Sequence, residues 1–154
     1  MDSHLSDGTH STTETQFHKA TLADLPLIVK HAISFYEMSP WEGIVPLETN
    51  TVIDTLVHHI ESDTSLCLVG DECLFVATLV PCALNNTVLI AQELMWYGKN
   101  GRALIKPFEE WAKEQECDFT MMSSLVNDRE PTIRRIYSRL GYKPIESAYI
   151  KEIK

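Results

Sequence analysis

Apolar residues recur at helical spacing in several stretches of the chain, and nearly continuous apolar runs lie between them. Phe17 to Ala20 reads as a short first strand. Thr21 follows as a helix N-cap, with Asp24 three residues later at the positive end of the helix. Leu25, Ile28, Ala32, Phe35 and Tyr36 then form one stripe, and Pro26 is tolerated because it falls in the first turn. Ser39-Pro40-Trp41-Glu42-Gly43 ends this helix. Val52, Ile53, Leu56, Val57 and Ile60 mark a second one. Leu66 to Val69 and Cys73 to Val80 are apolar runs about the turn Gly70-Asp71-Glu72, the pattern of a hairpin. Pro81 to Thr87 reads as a loop, Val88 to Tyr97 as a long third strand, and Gly98-Lys99-Asn100-Gly101 as its break. Leu104, Phe108, Trp111 and Ala112 share one helical face, with Glu109, Glu110, Lys113 and Glu114 opposite. Phe119 to Val126 predicts another strand and Asn127 to Glu130 a polar connection. Pro131 opens a helix lined by Ile133, Ile136, Tyr137 and Leu140, which Gly141 stops. Tyr142 to Pro144 and Ser147 to Ile153 carry the last strand signals.

The predicted order is β-α-α-β-β-β-α-β-α-β-β. Strand, helix and strand between Val88 and Val126 imply a right-handed crossover and two parallel neighbours. Those neighbours should separate at their carboxyl ends, and the hairpins make the rest of the sheet antiparallel. The expected architecture is an α/β layer with a mixed sheet, a central parallel pair and helices on both faces. The 154 residues fit one domain with its own core, residues 17–154. Residues 1–16 are a polar stretch expected to be a flexible tail; it has no apolar h-region and does not read as a secretory signal.

Composition narrows the function. The formal charge of −9, without a basic cluster beyond Arg134 and Arg135, argues against a nucleic-acid partner. It suits a cationic substrate or basic partner, and equally serves solubility. No apolar run approaches the roughly 20 residues of a membrane span, so a cytoplasmic protein without a membrane partner is expected. Cys67, Cys73, Cys82 and Cys117 form no CxxC pair and read as reduced core thiols. His58 and His59 are adjacent and face different sides of a helix, so they are no i, i+4 metal pair. No metal site is expected. Asn85-Asn86-Thr87 matches a glycosylation pattern but is read as a turn.

Several local patterns in this order carry a resemblance. They are Phe17-His-Lys-Ala-Thr-Leu-Ala-Asp-Leu-Pro26, Ala91-Gln-Glu-Leu-Met-Trp-Tyr97, Gly101-Arg-Ala-Leu104 leading into Phe108-Glu-Glu-Trp-Ala112, and Ile136-Tyr-Ser-Arg-Leu-Gly-Tyr142. Together they resemble the GNAT superfamily of N-acetyltransferases from about Phe17 to Ile153, closest to small phage-encoded members. The last is the most specific, a tyrosine followed by Leu-Gly-aromatic at the end of the final helix. One stretch departs from the family. Only Gly98-Lys99-Asn100-Gly101 separates Tyr97 from the helix pattern, where the family has a longer loop. Gly98 stands where the family has Arg or Gln, and Gly101-x-Ala103 keeps the end of the motif. Pro107 adds a second oddity, because it should kink or restart the helix.

The resemblance implies acetyl-CoA as co-substrate and direct transfer to a primary amine, either a small molecule or a protein Lys or N-terminus. Glu93 is the candidate general base, a carboxylate in an apolar strand where burial raises its pKa. Its structural alternative is an outward or ion-paired Glu. Tyr137 is the implied general acid for the thiolate, yet it also sits at core spacing. Gly98, Lys99, Asn100, Gly101, Arg102 and Ala103 form the strand-turn-helix unit where helix N–H groups can hold pyrophosphate. The alternative is a tight turn that needs glycine. Asn127 could bind the pantetheine arm or merely make a turn. Backbone N–H groups of Trp96 and Tyr97 could polarise the acetyl carbonyl. Trp41 and Glu42 are placed near the acceptor by analogy alone. A homodimer is compatible with all of this. The competing expectation is a GNAT-fold module that has lost catalysis and grips another protein, for a phage-encoded chain a host partner. The shortened loop favours that rival.

Overall fold

The computed structural model describes residues 16–154; the expected tail lies outside them except for Gln16. Thr21 and Asp24 make a capping box around the 3-10 turn Leu22–Asp24, which runs into α1 (Leu25–Glu37). The Thr21 N–H donates to the Asp24 carboxylate at 2.9 Å, satisfying one donor that the start of a helix leaves open. Pro40–Gly43 forms a second 3-10 turn, held under the Tyr36 hydroxyl through Val45 O at 2.8 Å. In α2 (Thr49–Glu61) the N-cap is Glu48, whose carboxylate accepts from the N–H groups of Asn50 and Thr51.

The sheet runs β1-β2-β3-β4-β5, with β1 His18–Lys19, β2 Ser65–Gly70, β3 Cys73–Cys82, β4 Asn85–Gly98 and β5 Phe119–Met121. All pairs are antiparallel except β4 with β5, which are parallel neighbours as the crossover rule requires. β2 and β3 are buried on both faces, so their alternate residues feed separate cores. Leu66, Leu68, Phe75 and Ala77 pack under Leu104 and under Phe108 and Ala112 of α3 (Ile105–Glu114). Cys67, Val69, Leu74 and Val76 pack under Ile28 and Ala32 of α1 and Leu56 of α2. Helices therefore cover both faces, and the architecture is the expected mixed α/β layer.

Three expectations about the strands need correction. Pro81–Thr87 is a tight hairpin rather than a loop: β3 runs to Cys82, β4 starts at Asn85, and only Ala83 and Leu84 make the turn between them. Phe119–Val126 is a strand only through Met121, because the ladder to β4 ends at Gln92↔Met121. Tyr142–Pro144 and Ser147–Ile153 form no strands; after α4 (Glu130–Arg139) Tyr142 bonds back to Tyr137, Thr120 and Glu109, and residues 143–154 are exposed with no hydrogen bond among the described residues. Their apolar alternation was real, but a strand also needs a partner, and none pairs with them among the described residues.

Pro107 causes no kink. A 3-10 turn, Gly101–Leu104, leads into α3, so Pro107 falls in the first turn of the α-helix. The helical segment thus begins at Gly101. Gly98 just before it has φ +116, and an added Cβ would lie 1.9 Å from the Glu72 carbonyl oxygen. Gly98→Ala should therefore cost about 2 kcal/mol or more of unfolding free energy in urea titrations. Gly43→Ala, with nothing within 4 Å of its Cβ and no positive φ, should be nearly neutral; equal effects would contradict this account of the turn.

Candidate active site

Glu93 occupies the point where β4 and β5 part. Val76 pairs with Met95 and Ala77 with Glu93, so Leu94 is an extra residue in β4. Such a bulge bends its strand and re-aims the side chains beside it. On the other side of Glu93 the parallel ladder has already ended. The Glu93 side chain takes over: its Oε2 accepts from Ser123 N at 3.1 Å and from Ser123 Oγ at 2.8 Å. Glu93 is only 5% exposed. Burial pushes its pKa above the ordinary carboxylate range, opposed in part by the two Ser123 donors. The sequence-based expectation of a buried carboxylate on this strand holds.

Tyr137 meets the same residue from α4. Its hydroxyl donates to Ser123 O at 2.5 Å. Burial, followed by the nearby Glu93 and Tyr142, raises its pKa, so the phenol keeps its proton at physiological pH. The ring lies between Trp96 (centroids 5.9 Å apart) and Tyr142 (5.5 Å). Tyr142 is anchored in turn: its hydroxyl accepts from Thr120 Oγ1 at 3.1 Å and donates to Glu109 Oε1 at 3.0 Å. Gly141, at φ +88, turns the chain between them. These aromatic contacts position α4, since none of its own residues is fully buried. Ser123 thus joins Glu93 to Tyr137, and nothing in the sequence singled it out. It is one of several polar residues in a predicted strand, and its role depends on where the ladder stops.

The glycine loop is braced from beneath. Trp96 Nε1 donates to Gly101 O at 2.8 Å, and a Cβ on Gly101 would meet that nitrogen at 2.7 Å. The Trp96 side chain therefore supports the turn. Asn100 is left-handed (φ 56) and its carbonyl accepts from Ala103 N. The N–H groups of Asn100, Gly101 and Arg102 have no backbone acceptor among the described residues. They sit at the start of a helical segment that carries partial positive charge, a fit for an anion such as pyrophosphate. Lys99 is exposed and pairs with Glu72 at 3.3 Å.

Two cavities flank these elements. One of about 510 Å³ opens at the carboxyl ends of β4 and β5, lined by Glu37, Tyr97, Gly98, Lys99, Asn127 and Arg129 among others. The other, about 380 Å³, lies between α3 and the end of α4 and includes Arg102, Lys106 and Leu140. The expected coenzyme residues are thus divided: Tyr97, Gly98, Lys99 and Asn127 line the first, and Arg102 the second. Asn127 also makes a turn, its Oδ1 accepting from Arg129 N at 3.0 Å. Tyr97 turns toward α1, its ring 5.5 Å from buried His31. Among the described residues, no cluster of His, Cys, Asp and Glu could hold a metal ion.

No family model and no curated protein matches the chain by sequence. Solved structures do. An aminoglycoside antibiotic 6'-N-acetyltransferase from Acinetobacter haemolyticus superposes with a TM-score of 0.66 at 14% identity, covering 90% of this chain and 98% of that one. A predicted acetyltransferase with acetyl-CoA from Clostridium acetobutylicum gives 0.66 at 13% identity, covering 90% and 96%. The fold is that of the GNAT acetyltransferases. A transcriptional regulator from Bacillus halodurans C-125 also matches, with a TM-score of 0.70 at 15% identity, covering 91% and 100%. Within the GNAT fold, the parallel pair, the bulge beside Glu93 and the loop at Gly98 are brought to one end of the sheet.

The burial of Glu93 has a stability consequence. Its folded-state pKa is raised, so the folded protein holds this proton more tightly than the unfolded chain. Stability from this group is therefore greatest at low pH and is lost as pH rises through the raised pKa. Glu93→Gln keeps an acceptor for Ser123 without the charge. In thermal melts it should be at least as stable as wild type at neutral pH, and the gap should shrink on acidification. A variant destabilised most at neutral pH would show that the ionised carboxylate is instead a net stabiliser.

Proposed function

We propose that this chain is an N-acetyltransferase that moves the acetyl group of acetyl-CoA directly to a primary amine, of a small molecule or of a protein. The observation that carries the proposal is the convergence of Glu93 and Tyr137 on Ser123, where the parallel strands part. A base and a proton donor held by one residue are what direct transfer needs. The amine nitrogen attacks the thioester carbonyl carbon, a C–N bond forms and the C–S bond breaks. The amine proton passes to the Glu93 carboxylate, directly or through water, and the departing thiolate takes a proton from the Tyr137 hydroxyl. A raised carboxylate pKa makes Glu93 a better base near neutral pH. The raised phenol pKa keeps the donor protonated.

Acetyl-CoA, when bound, supplies the activated acyl group. The residues that would hold its pyrophosphate are the N–H groups of Asn100, Gly101 and Arg102, with Lys99 and Arg102 adding charge. The loop is shorter than the family pattern, but its bracing by Trp96 fixes those donors without further residues. The support from fold likeness is general: several matched structures are described as acetyltransferases.

A second reading is favoured by one observation. Glu93 is sealed from solvent and the Tyr137 hydroxyl is already bonded, as suits a GNAT-fold module that binds a partner without transferring acyl groups. Turnover decides between them. With polyamine, aminoglycoside and amino-terminal peptide acceptors, wild type should release CoA thiol from acetyl-CoA. Glu93→Gln should lower turnover about a hundredfold with little change in coenzyme affinity. Tyr137→Phe should slow turnover while keeping the fold, because the ring still packs between Trp96 and Tyr142. If both variants release thiol as fast as wild type, the assigned roles are wrong. If no acceptor is acetylated, the binding-module reading takes their place.

A further inference from the structure

The strand register sets a carboxylate against the glycine loop. Cys73, the first residue of β3, pairs with Gly98 at the end of β4. The turn Asp71-Glu72 between β2 and β3 is thereby brought to the point where the loop begins. The approach is tight, since a Cβ on Gly98 would lie 1.9 Å from the Glu72 carbonyl oxygen. With its backbone fixed there, Glu72 reaches Lys99, and Oε1 lies 3.3 Å from Nζ. Lys99 lines the cavity of about 510 Å³ together with Arg129, Glu37 and Asp128; Glu72 is outside that lining. Arg129 makes no ion pair among the described residues. Of the two cations at this cavity, Lys99 is therefore the one already engaged, and its partner stands on the hairpin side.

We propose that Glu72 sets the affinity for the coenzyme by competing with its phosphates for Lys99. The inference rests on the reading of the loop as the pyrophosphate site. An anion held by the N–H groups of Asn100, Gly101 and Arg102 must draw Lys99 away from Glu72, and it also meets the repulsion of that carboxylate. The two side chains are 78% and 65% exposed, and exposed pairs shift an equilibrium by only about two- to fivefold. Glu72 thus tunes binding and does not block it. CoA carries the same phosphates as acetyl-CoA, so the weaker hold applies to substrate and product alike. Such uniform binding changes how tightly the coenzyme is held and leaves the chemical step alone.

Calorimetric titrations with acetyl-CoA and with CoA at low ionic strength test this. Glu72→Gln should tighten both ligands by about two- to fivefold, with the unfolding midpoint nearly unchanged because the side chain is exposed. The gain should fade as salt is added and should shrink in a Lys99→Ala background. Asp71→Asn removes the same charge one residue away, without a bond to Lys99, and should gain less. Unchanged or weaker binding in Glu72→Gln overturns the proposal. So do equal gains with and without Lys99, which would show a long-range effect of charge and no competition. If wild type binds acetyl-CoA and Glu72→Gln binds it no better, this inference alone falls. If neither protein binds acetyl-CoA or CoA, the coenzyme reading falls with it.

Discussion

The structure turns on the bond pair from Ser123 to the buried Glu93 carboxylate. Placing a carboxyl group in a sheet interior is costly unless its oxygens find donors. Here the donors exist because β5 stops pairing early, which frees the Ser123 N–H to face the side chain rather than a ladder carbonyl. The bulge at Leu94 makes the matching adjustment in β4. The same serine's carbonyl receives Tyr137 and so helps to locate α4. A short strand, a bulged strand and a lightly packed helix are thus consequences of one polar arrangement. Polar burial of this kind concentrates at functional sites more often than in plain cores.

A second constraint sits further along the same strand, at its carboxyl end. Gly98 must pass close to the Glu72 carbonyl, and Gly101 must lie on the Trp96 indole. Both contacts exclude side chains, which explains glycine at each position better than flexibility does. Their effect is to pin a tight turn whose N–H groups at the start of a helical segment have no backbone acceptor among the described residues. Trp96 also packs against Tyr137, its ring tilted and 5.9 Å away. The loop and the Glu93–Ser123–Tyr137 cluster therefore share a wall, and a change in one is transmitted to the other by direct packing.

Much of this was legible in the chain itself. Helical spacing located α1, α2 and α3, the turn at Gly70-Asp71-Glu72 placed the hairpin, and the crossover rule gave the parallel pair. The burial of Glu93 was legible because it is a lone carboxylate in an apolar strand run. What stayed hidden was relational. The end of β5 is set by where its neighbour bulges, and Ser123 has no signature apart from that geometry. The final apolar alternation was read as strands, although alternation reports a capacity to pair and not a partner, and none pairs with it among the described residues. Asn85-Asn86-Thr87 was read as a turn, and Asn85 does make a local one, its Oδ1 accepting from Thr87 N at 3.1 Å, but it also starts β4 opposite Cys82.

The central claim is that the braced turn and the Ser123 cluster form one acyl-coenzyme site. Calorimetric titration with acetyl-CoA tests it most directly. The account predicts saturable binding that weakens with added salt and weakens again in Lys99→Ala with Arg102→Ala, because backbone donors and nearby cations share the phosphate charge. No heat of binding at millimolar coenzyme would contradict it and leave the GNAT fold here as a scaffold for another partner.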